Sequence, residues 1–512
     1  MTTSTTDVPP RRLPGGGPEA RRRETVAMFA RTHPWGVALL AQVAVACVLC
    51  LYSLGHKSFW MDEGFSFVAG HRSWGSLGAL LTHDESNMGP YYVGMHLWTH
   101  LGRSEATLRL PSVLFAVATV PLLATVVDRT YGRRAGLAAG LLLAVNAMVV
   151  VFAQEARAYS MVMCGATASI ALFLELVLRP RRAVAWAYVL VTSLAVYAHY
   201  FAALVVAAQL CSLLWLPDAR VALRRLRGPL VGVAVLVAPL VPFVVGHRST
   251  TQVDWIPPFS GHSLPDLVRH FVGDYSALGL RAITFVAFVV LAAVWTLRRR
   301  DRTRRSEQQW SRMLIWCWLV VPLLLTVAAC LVENLWVARY LIVVLPAFVG
   351  LVAVGATRLR ATAAQGAAVV LLLVLSGVAL KGYYPPEQHW GEDWRGASLY
   401  LASPGVQGRA VVFAPSFGRN AVDYYRWARG LPPVNDARLA PGDAFHGVLR
   451  ARNVSGATTI RRLEASPGGV SYLVQDGVVP PEVERDITAA GYRRGGSAHF
   501  GQVTVTRLLS TR

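Results

Sequence analysis

The sequence predicts a mainly α-helical, polytopic membrane bundle followed by a small α/β domain. Apolar residues make up 54% of the chain and charged residues 15%, whereas soluble proteins carry about a quarter charged residues. Apolar runs recur over the first three quarters of the chain, many near the roughly 20 residues that a helix needs to cross a bilayer. From about Gly382 the chain becomes polar. These observations exclude a soluble globular enzyme.

The chain begins with a basic segment and a first span. Residues 1–33 are rich in Thr, Pro, Gly and Arg, which predicts a disordered cytoplasmic tail. The run Trp35–Leu54 is too long for a signal-peptide core and lacks a convincing cleavage site. We therefore expect an uncleaved helix whose N-terminus lies inside.

Loop charge sets the number of spans. Further apolar runs lie near residues 106–127, 135–152, 158–178, 183–198, 200–216, 229–247, 281–297, 313–332, 336–356 and 363–380. The segment Pro90–Leu101 is too short to cross, and if it lies flat on the outer surface, every basic loop cluster falls inside. If it crosses, all of those clusters move outside, against the positive-inside rule. The sequence therefore predicts eleven spans, with a juxtamembrane helix in the first outer loop.

This topology places several polar motifs on the outer face. They are the acid pair Asp62-Glu63, residues 154–159, His199-Tyr200, the loop around Asp254 and Asp274, and residues 333–340. Ionisable groups at membrane depth are costly and are by default functional candidates. Their convergence on one side predicts a single site that opens outward.

The polar C-terminal region, residues 382–512, reads as an extracytoplasmic α/β domain after the membrane domain at 34–381. β-rich runs at Ala410–Ala414, Val470–Val474 and Val503–Leu508 alternate with helix-like segments at Asn420–Arg429 and Glu482–Ala490. Because the N-terminus is expected in the cytoplasm, an odd number of spans places this region on the outer side of the membrane.

Charge and cysteine usage exclude other classes. The net charge of +21 comes from short, separated arginine clusters in loops, which disfavours a nucleic-acid role. All six cysteines lie in apolar runs, so there is no disulfide framework and no metal-ligand spacing. Arg stands in place of nearly all Lys, and Ala, Val, Leu and Gly are abundant, as is typical of a GC-rich bacterium. We expect a bacterial plasma-membrane protein.

An ordered set of motifs resembles glycosyltransferase family 39 and its bacterial relatives within the GT-C superfamily. The family includes protein mannosyltransferases and the aminoarabinose transferase that acts on lipid A. The motifs are SFWMDEG at 58–64, MGPYY at 88–92, SEATLRLPS at 104–112, QEARAY at 154–159, YAHY at 197–200, ARYL at 338–341 with Pro346, and DWR at 393–395. Met61 and Gly89 stand where close relatives often have proline, which leaves the subfamily and its sugar open.

The resemblance implies inverting transfer of a sugar, mannose-like favoured, from a polyprenyl-monophosphate donor to an acceptor hydroxyl on the outer face. By motif match Asp62 is the candidate general base, with Glu63 orienting the acceptor or tuning the pair, although adjacency alone does not decide which of the two acts. A leaving lipid phosphate requires cationic donors, for which arginine is apt. The candidate donor-phosphate residues are Arg157, Arg339, Tyr159 and Tyr340, and the candidate substrate contacts are Glu155, His199, Tyr200, His83 and Asn87.

Other roles remain open for several of these residues. Arg157 can form a salt bridge to Glu155, Arg339 can snorkel at the interface, and His199 can simply pack. The partners implied are a polyprenyl-phosphate-linked sugar, membrane lipid and an acceptor glycan, lipid or protein, with no nucleic acid.

No cofactor is expected. A divalent cation such as Mg or Mn is conceivable but not favoured, since no spacing demands one. A transporter or flippase for a lipid-linked sugar is the main alternative function, although no internal repeat of the kind many transporters show is found. A non-catalytic scaffold in the cell envelope is the third.

Overall fold

The computed structural model describes residues 34–83, 87–246, 256–274, 276, 278–298, 306–385, 391–441 and 452–511. The predicted tail at 1–33, the loop around Asp254 and residues 299–305 of the basic cluster lie outside the described residues.

Helices of very different lengths form the region up to residue 383. In chain order they are α1 (Pro34–Leu51), α2 (Met61–Gly70), α3 (Trp74–His83), α4 (Gly89–Trp98), α5 (Glu105–Tyr131), α6 (Arg133–Ala144), α7 (Ala147–Ala153), α8 (Tyr159–Leu178), α9 (Arg182–Ala198), α10 (Ala203–Ser212), α11 (Ala219–Val237), α12 (Val241–Gly246), α13 (Ser263–Val272), α14 (Leu280–Arg298), α15 (Glu307–Ala329), α16 (Leu345–Thr357) and α17 (Thr362–Tyr383). Short 3-10 turns at Tyr200–Ala202 and Tyr340–Val344 precede α10 and α16.

The polytopic bundle is confirmed. Within the described ranges, eight helices are long and apolar enough to cross a membrane, and the bent pair α6–α7 makes a ninth span if it counts as one. The apolar helices Arg182–Ala198 and Tyr200–Trp215 occupy two further predicted runs but are shorter than the spans counted here, so the number eleven stays a prediction.

Two apolar runs differ from the predicted straight helices. The run at 135–152 bends by 52° between α6 and α7, because the Asn146 side chain caps α7 by accepting a hydrogen bond from Val149 N at 3.1 Å. The run at 336–356 becomes helical only at Tyr340. Arg339 therefore lies on a turn at the beginning of a span, not inside it.

Three short helices, α2, α3 and α4, lie between the first span and α5. The predicted juxtamembrane helix at Pro90–Leu101 is α4, and Met88 precedes it in the left-handed conformation with φ 64°. Helix α2 packs against α4, where a Cβ on Gly70 would lie only 3.0 Å from Met95 Cβ. This packing sets the position of α2, whose first turn carries the acid pair.

The C-terminal region forms a small α/β domain around a five-stranded sheet. Its elements are α18 (Trp394–Leu401), β1 (Ala410–Ala414), α19 (Arg419–Arg429), β2 (Asn435–Asp436), α20 (Gly456–Glu464), β3 (Val470–Asp476), α21 (Pro481–Ala489), β4 (Tyr492–Phe500) and β5 (Val503–Ser510). The strand order is β2-β1-β3-β5-β4, with β1 parallel to β2 and β3 and the other pairs antiparallel.

The two faces of this sheet pack against different partners. Val412 and Leu473 point into a small core with Val483 and Ile487 of α21. Their neighbours Val411 and Phe413 belong instead to the large core that continues into the membrane region. The alternation follows from the two-residue period of a strand. The C-terminal domain is therefore packed onto the helical bundle and not merely tethered to it.

Helix α19 of this domain lies directly against α2. Phe59, just before α2, stacks on Tyr424 with ring centroids 4.1 Å apart. A Cβ on Gly64 would lie 2.7 Å from Ala421 N, closer than real Cβ contacts allow. Only glycine therefore permits this approach of the two backbones.

Gly64→Ala should lower the melting temperature of the intact protein in detergent, because overpacking against rigid backbone costs about 1–3 kcal/mol. Gly78→Ala in α3 is the matched control, since nothing lies within 4 Å of its added Cβ. There we expect an unchanged or slightly higher melting temperature. Equal melting temperatures for the two variants would contradict the close packing of α2 on α19.

Candidate active site

The two acids of the predicted pair have different environments. Glu63 is fully buried and receives two hydrogen bonds from Arg109, from Nε to Oε1 at 2.8 Å and from Nη2 to Oε2 at 2.7 Å. Its oxygens also accept bonds from Ala156 N at 2.8 Å and Trp60 N at 3.3 Å. Glu63 is thus engaged on both oxygens, and its placement argues against direct contact with an acceptor.

Arg109 also shapes the loop that leads into α2. Its Nη1 donates to Leu54 O at 2.9 Å and Lys57 O at 3.0 Å, and its Nη2 donates to Ser58 O at 3.0 Å. Because Arg109 lies on the long helix α5, these bonds fix the loop to a rigid element. A guanidinium suits this task, since its planar fork presents five donors in fixed directions.

Asp62 faces away from this buried pair and lies between two arginines. Its Oδ2 is 3.8 Å from Arg157 Nη2 and 3.8 Å from Arg339 Nη2, and its side chain is 18% exposed. Arg157 Nη1 also donates to Asp62 O at 3.2 Å. The structure thus brings together one predicted acid and both predicted phosphate-binding arginines, although Arg157 and Arg339 are 182 residues apart in sequence.

Aromatic rings surround the two arginines. The Arg157 guanidinium lies 5.8 Å from the centre of the Tyr159 ring, and Arg339 lies 5.7 Å from that of Trp60 and 5.9 Å from that of Tyr340. His199 is buried against Tyr340, with ring centroids 4.7 Å apart. These contacts hold two cations close together within a partly desolvated site.

The remaining predicted contacts lie at varying distances from this cluster. Glu155 is buried under the loop that precedes α2, and Tyr200 begins the 3-10 turn after His199. His83 is exposed and bonds within its own helix, with Nδ1 2.8 Å from Ala79 O. Asn87 is half-buried just before α4. No described contact joins His83 or Asn87 to Asp62.

A buried lysine lies beside Glu155. Lys57 Nζ donates to Tyr383 O at 2.6 Å and lies 3.2 Å from the centre of that ring. Burial, together with the nearby Arg109, lowers the pKa of Lys57 to about 7, while Glu155 opposes the shift. An amine in this setting is a structural donor that is not obliged to carry a charge.

A cavity of about 1050 Å³ opens beside Arg339. Apolar residues of α7 and α17, among them Phe152 and Val378, supply part of its wall. The C-terminal domain contributes Gly391 and Gln502. The wall is largely apolar, and its acidic and basic side chains, besides Arg339, are those of Asp266, His270 and Arg281.

Sequence reasoning missed the role of Arg109. The only signal was its place within the motif at 104–112, because its partner Glu63 lies 46 residues away in sequence. In the described part of the chain, no three side chains of His, Cys, Asp or Glu lie close enough together to hold a metal ion.

Comparisons with known proteins agree with this architecture. Residues 88–245 match the sequence model of the family described as dolichyl-phosphate-mannose-protein mannosyltransferase. None of the curated proteins matches the sequence. Among solved structures, the chain is similar to ArnT from Cupriavidus metallidurans bound to undecaprenyl phosphate, at 16% identity and TM-score 0.60 over 93% of this chain and 98% of that one.

The archaeal oligosaccharyltransferase AglB from Archaeoglobus fulgidus, in complex with an inhibitory peptide and a dolichol-phosphate, is also similar. The identity is 9% and the TM-score 0.50, over 87% of this chain and 70% of that one. The shared fold confirms the predicted GT-C architecture. The family match and the fold together indicate a membrane glycosyltransferase, as the motifs predict.

Glu63→Gln should strongly destabilise the protein, because breaking a buried ion pair leaves an uncompensated charge at a cost of about 3–5 kcal/mol. The matched control is Glu175→Gln, which breaks the more exposed Arg129–Glu175 pair and should cost at most about 1 kcal/mol. Thermal unfolding in detergent provides the measurement. The double variant Glu63→Leu/Arg109→Met should recover part of the loss, and equal effects of the two single variants would contradict the structural role of Glu63.

Proposed function

We propose that this membrane glycosyltransferase of the GT-C fold transfers a sugar, mannose-like favoured, from a polyprenyl-monophosphate donor to an acceptor hydroxyl, with inversion. The observation that carries the proposal is Asp62 between Arg157 and Arg339, which pairs a carboxylate with two phosphate-binding groups. The matched family is described by mannose on dolichyl phosphate, and the similar ArnT structure holds undecaprenyl phosphate. Both support this class of donor.

Arg157 and Arg339 bind the donor phosphate. Their 3.8 Å separations from Asp62 exceed hydrogen-bond length, so Asp62 does not hold either guanidinium in a tight fork. Guanidinium groups suit phosphate oxygens, and they stabilise the negative charge that develops as the phosphate leaves. Tyr159 and Tyr340 lie beside them and can add hydroxyl donors. The two arginines supply this neutralisation without an obligatory divalent cation.

Asp62 acts as the general base. The acceptor oxygen bonds to the anomeric carbon on the face opposite the phosphate, and the hydroxyl proton passes to Asp62. The bond between the anomeric carbon and the phosphate oxygen breaks, and its electron pair stays on the polyprenyl phosphate. A bound phosphate would draw both arginines toward itself, so donor binding would leave Asp62 more available to accept the proton.

The large cavity holds the lipid part of the donor. Its largely apolar wall suits a polyprenyl chain, and Arg339, which lines it and lies 3.8 Å from Asp62 Oδ2, connects the cavity with the site. Among the candidate contacts to sugar or acceptor, His199 packs against Tyr340 beside the arginines. Glu155 and Tyr200 remain candidates, and His83 and Asn87 are retained only as outlying ones. The site faces the outside of a bacterial plasma membrane, with a cytoplasmic N-terminus and an extracytoplasmic C-terminal domain.

Asp62→Asn should reduce sugar transfer by about 100-fold or more, since it removes the proton acceptor. The assay follows the loss of labelled sugar from polyprenyl-phosphate mannose, in membranes that contain the native acceptor. Asp218→Asn changes an exposed aspartate at the beginning of α11 and should leave transfer unchanged. Undiminished transfer by Asp62→Asn would contradict the assignment, and movement of intact donor across the membrane without cleavage would favour a flippase.

Arg339→Ala should weaken binding of undecaprenyl phosphate by roughly 10- to 100-fold, the value of one or two charge-assisted hydrogen bonds. Arg339→Lys should recover only part of the affinity, because an ammonium cannot bind in a bidentate fork. Arg485→Ala, an exposed arginine of the C-terminal domain, is the control. Native mass spectrometry with undecaprenyl phosphate measures the change, and unchanged affinity in Arg339→Ala would remove this residue from the donor site.

A further inference from the structure

The C-terminal domain reaches the first turn of α2 through one carboxylate. Glu392 Oε2 accepts hydrogen bonds from Met61 N at 2.9 Å and from Trp394 Nε1 at 2.5 Å. Met61 is the first residue of α2 and the immediate neighbour of Asp62. A carboxylate at this position satisfies one of the backbone N–H groups that a helix start leaves without a partner. Here that carboxylate comes from a residue 331 positions away.

The loop before α2 is bound by the same segment. Arg395 Nη2 donates to Gly55 O at 3.1 Å and to Lys57 O at 3.2 Å, and its Nη1 donates to His56 O at 3.1 Å. Tyr425 of α19 accepts a bond from Phe59 N at 2.7 Å. The C-terminal domain therefore contacts nearly every peptide from Gly55 to Met61.

The three residues that follow Met61 point in different directions and have different contacts. Successive side chains on a helix point about 100° apart, so Asp62, Glu63 and Gly64 face three directions. Glu63 is held by Arg109, and Gly64 touches α19. Asp62 makes only the long contacts to the two arginines among its described side-chain contacts. Its direction therefore depends on how the first turn of α2 is held.

We propose that Glu392 is a positioning residue for the transfer reaction, which fixes the first turn of α2 and so aims Asp62 between the two arginines. The inference rests on the proposed role of Asp62 as the base. The C-terminal domain thereby contributes to catalysis by holding Asp62 in position, a role separate from any contact with the donor or the acceptor.

The protonation of Glu392 controls the strength of this contact. Burial, together with the carboxylates of Asp476 and Asp62, raises the pKa of Glu392 to about 7 against the opposing hydrogen bonds from Trp394 and Met61. The pKa of Glu392 is raised only while its carboxyl group is docked on Met61 and Trp394, so docking is more favourable when this group is protonated. That contribution to docking is lost as the pH rises through about 7. The contact should be tightest in mildly acidic solution.

The test compares Glu392→Gln and Glu392→Ala with the unchanged protein in lipid nanodiscs, at about pH 6 and about pH 8 on either side of the transition. Glutamine keeps the acceptor oxygen and cannot ionise. The transfer rate of Glu392→Gln should therefore equal that of the unchanged protein at the lower pH and exceed it several-fold at the higher pH. Alanine removes the contact at any pH, so it should lower kcat about tenfold at the lower pH and by less at the higher, with the donor KM unchanged. Amide hydrogen exchange of residues 58–66 should follow the same pattern.

Glu482→Gln is the control, since it neutralises an exposed carboxylate of α21 and should keep both the rate and the pH profile. An unaltered pH profile in Glu392→Gln, or an unaltered kcat in Glu392→Ala, would overturn the proposal. A purely stabilising role would lower the melting temperature and leave the pH profile of the folded enzyme unchanged. Undiminished transfer by Asp62→Asn would show separately that the proposed function is wrong. The hydrogen-exchange protection of residues 58–66 can be measured without an acceptor, so it tests the role of Glu392 independently.

Discussion

The buried pair of Glu63 and Arg109 determines the geometry of the candidate active site. One guanidinium binds a carboxylate through two hydrogen bonds and three backbone carbonyls of the preceding loop, and the same carboxylate accepts bonds from Trp60 and Ala156. Burying both charges is costly, and the cost is offset only because nearly every donor and acceptor is used. The result is a rigid first turn of α2, from which Asp62 projects in a defined direction.

The site is assembled by two regions that share one core. The helical bundle supplies Asp62, Arg157 and Arg339, while the C-terminal domain supplies the contacts that hold the loop before them. The same domain contributes Gly391 and Gln502 to the wall of the large cavity. Its role is therefore wider than recruitment of an acceptor or coverage of a donor, the two functions usually considered for an appended domain.

Much of the fold could be predicted from local pattern, because apolar runs and strand alternation depend on neighbouring residues. The strand at Ala410–Ala414 was predicted with its observed bounds. Strand β4 was missed, since most of its side chains are exposed and it lacks the apolar alternation. The break at Asn146 was missed too, because a single capping side chain decided it. In the site, the predicted sidedness placed Asp62, Arg157 and Arg339 on one face, and the structure places them side by side. The different environments of Asp62 and Glu63 could not be predicted, because they depend on Arg109, 46 residues away from Glu63.

The shared core has a consequence for biosynthesis. The first turn of α2 and the loop before it are translated more than 300 residues before Glu392, Arg395 and Tyr425, which hold them. Until then the surfaces of Phe59 and Gly64 that later meet α19 have no cover. The contacts that hold this turn can therefore form only after the membrane helices up to residue 383 have been made.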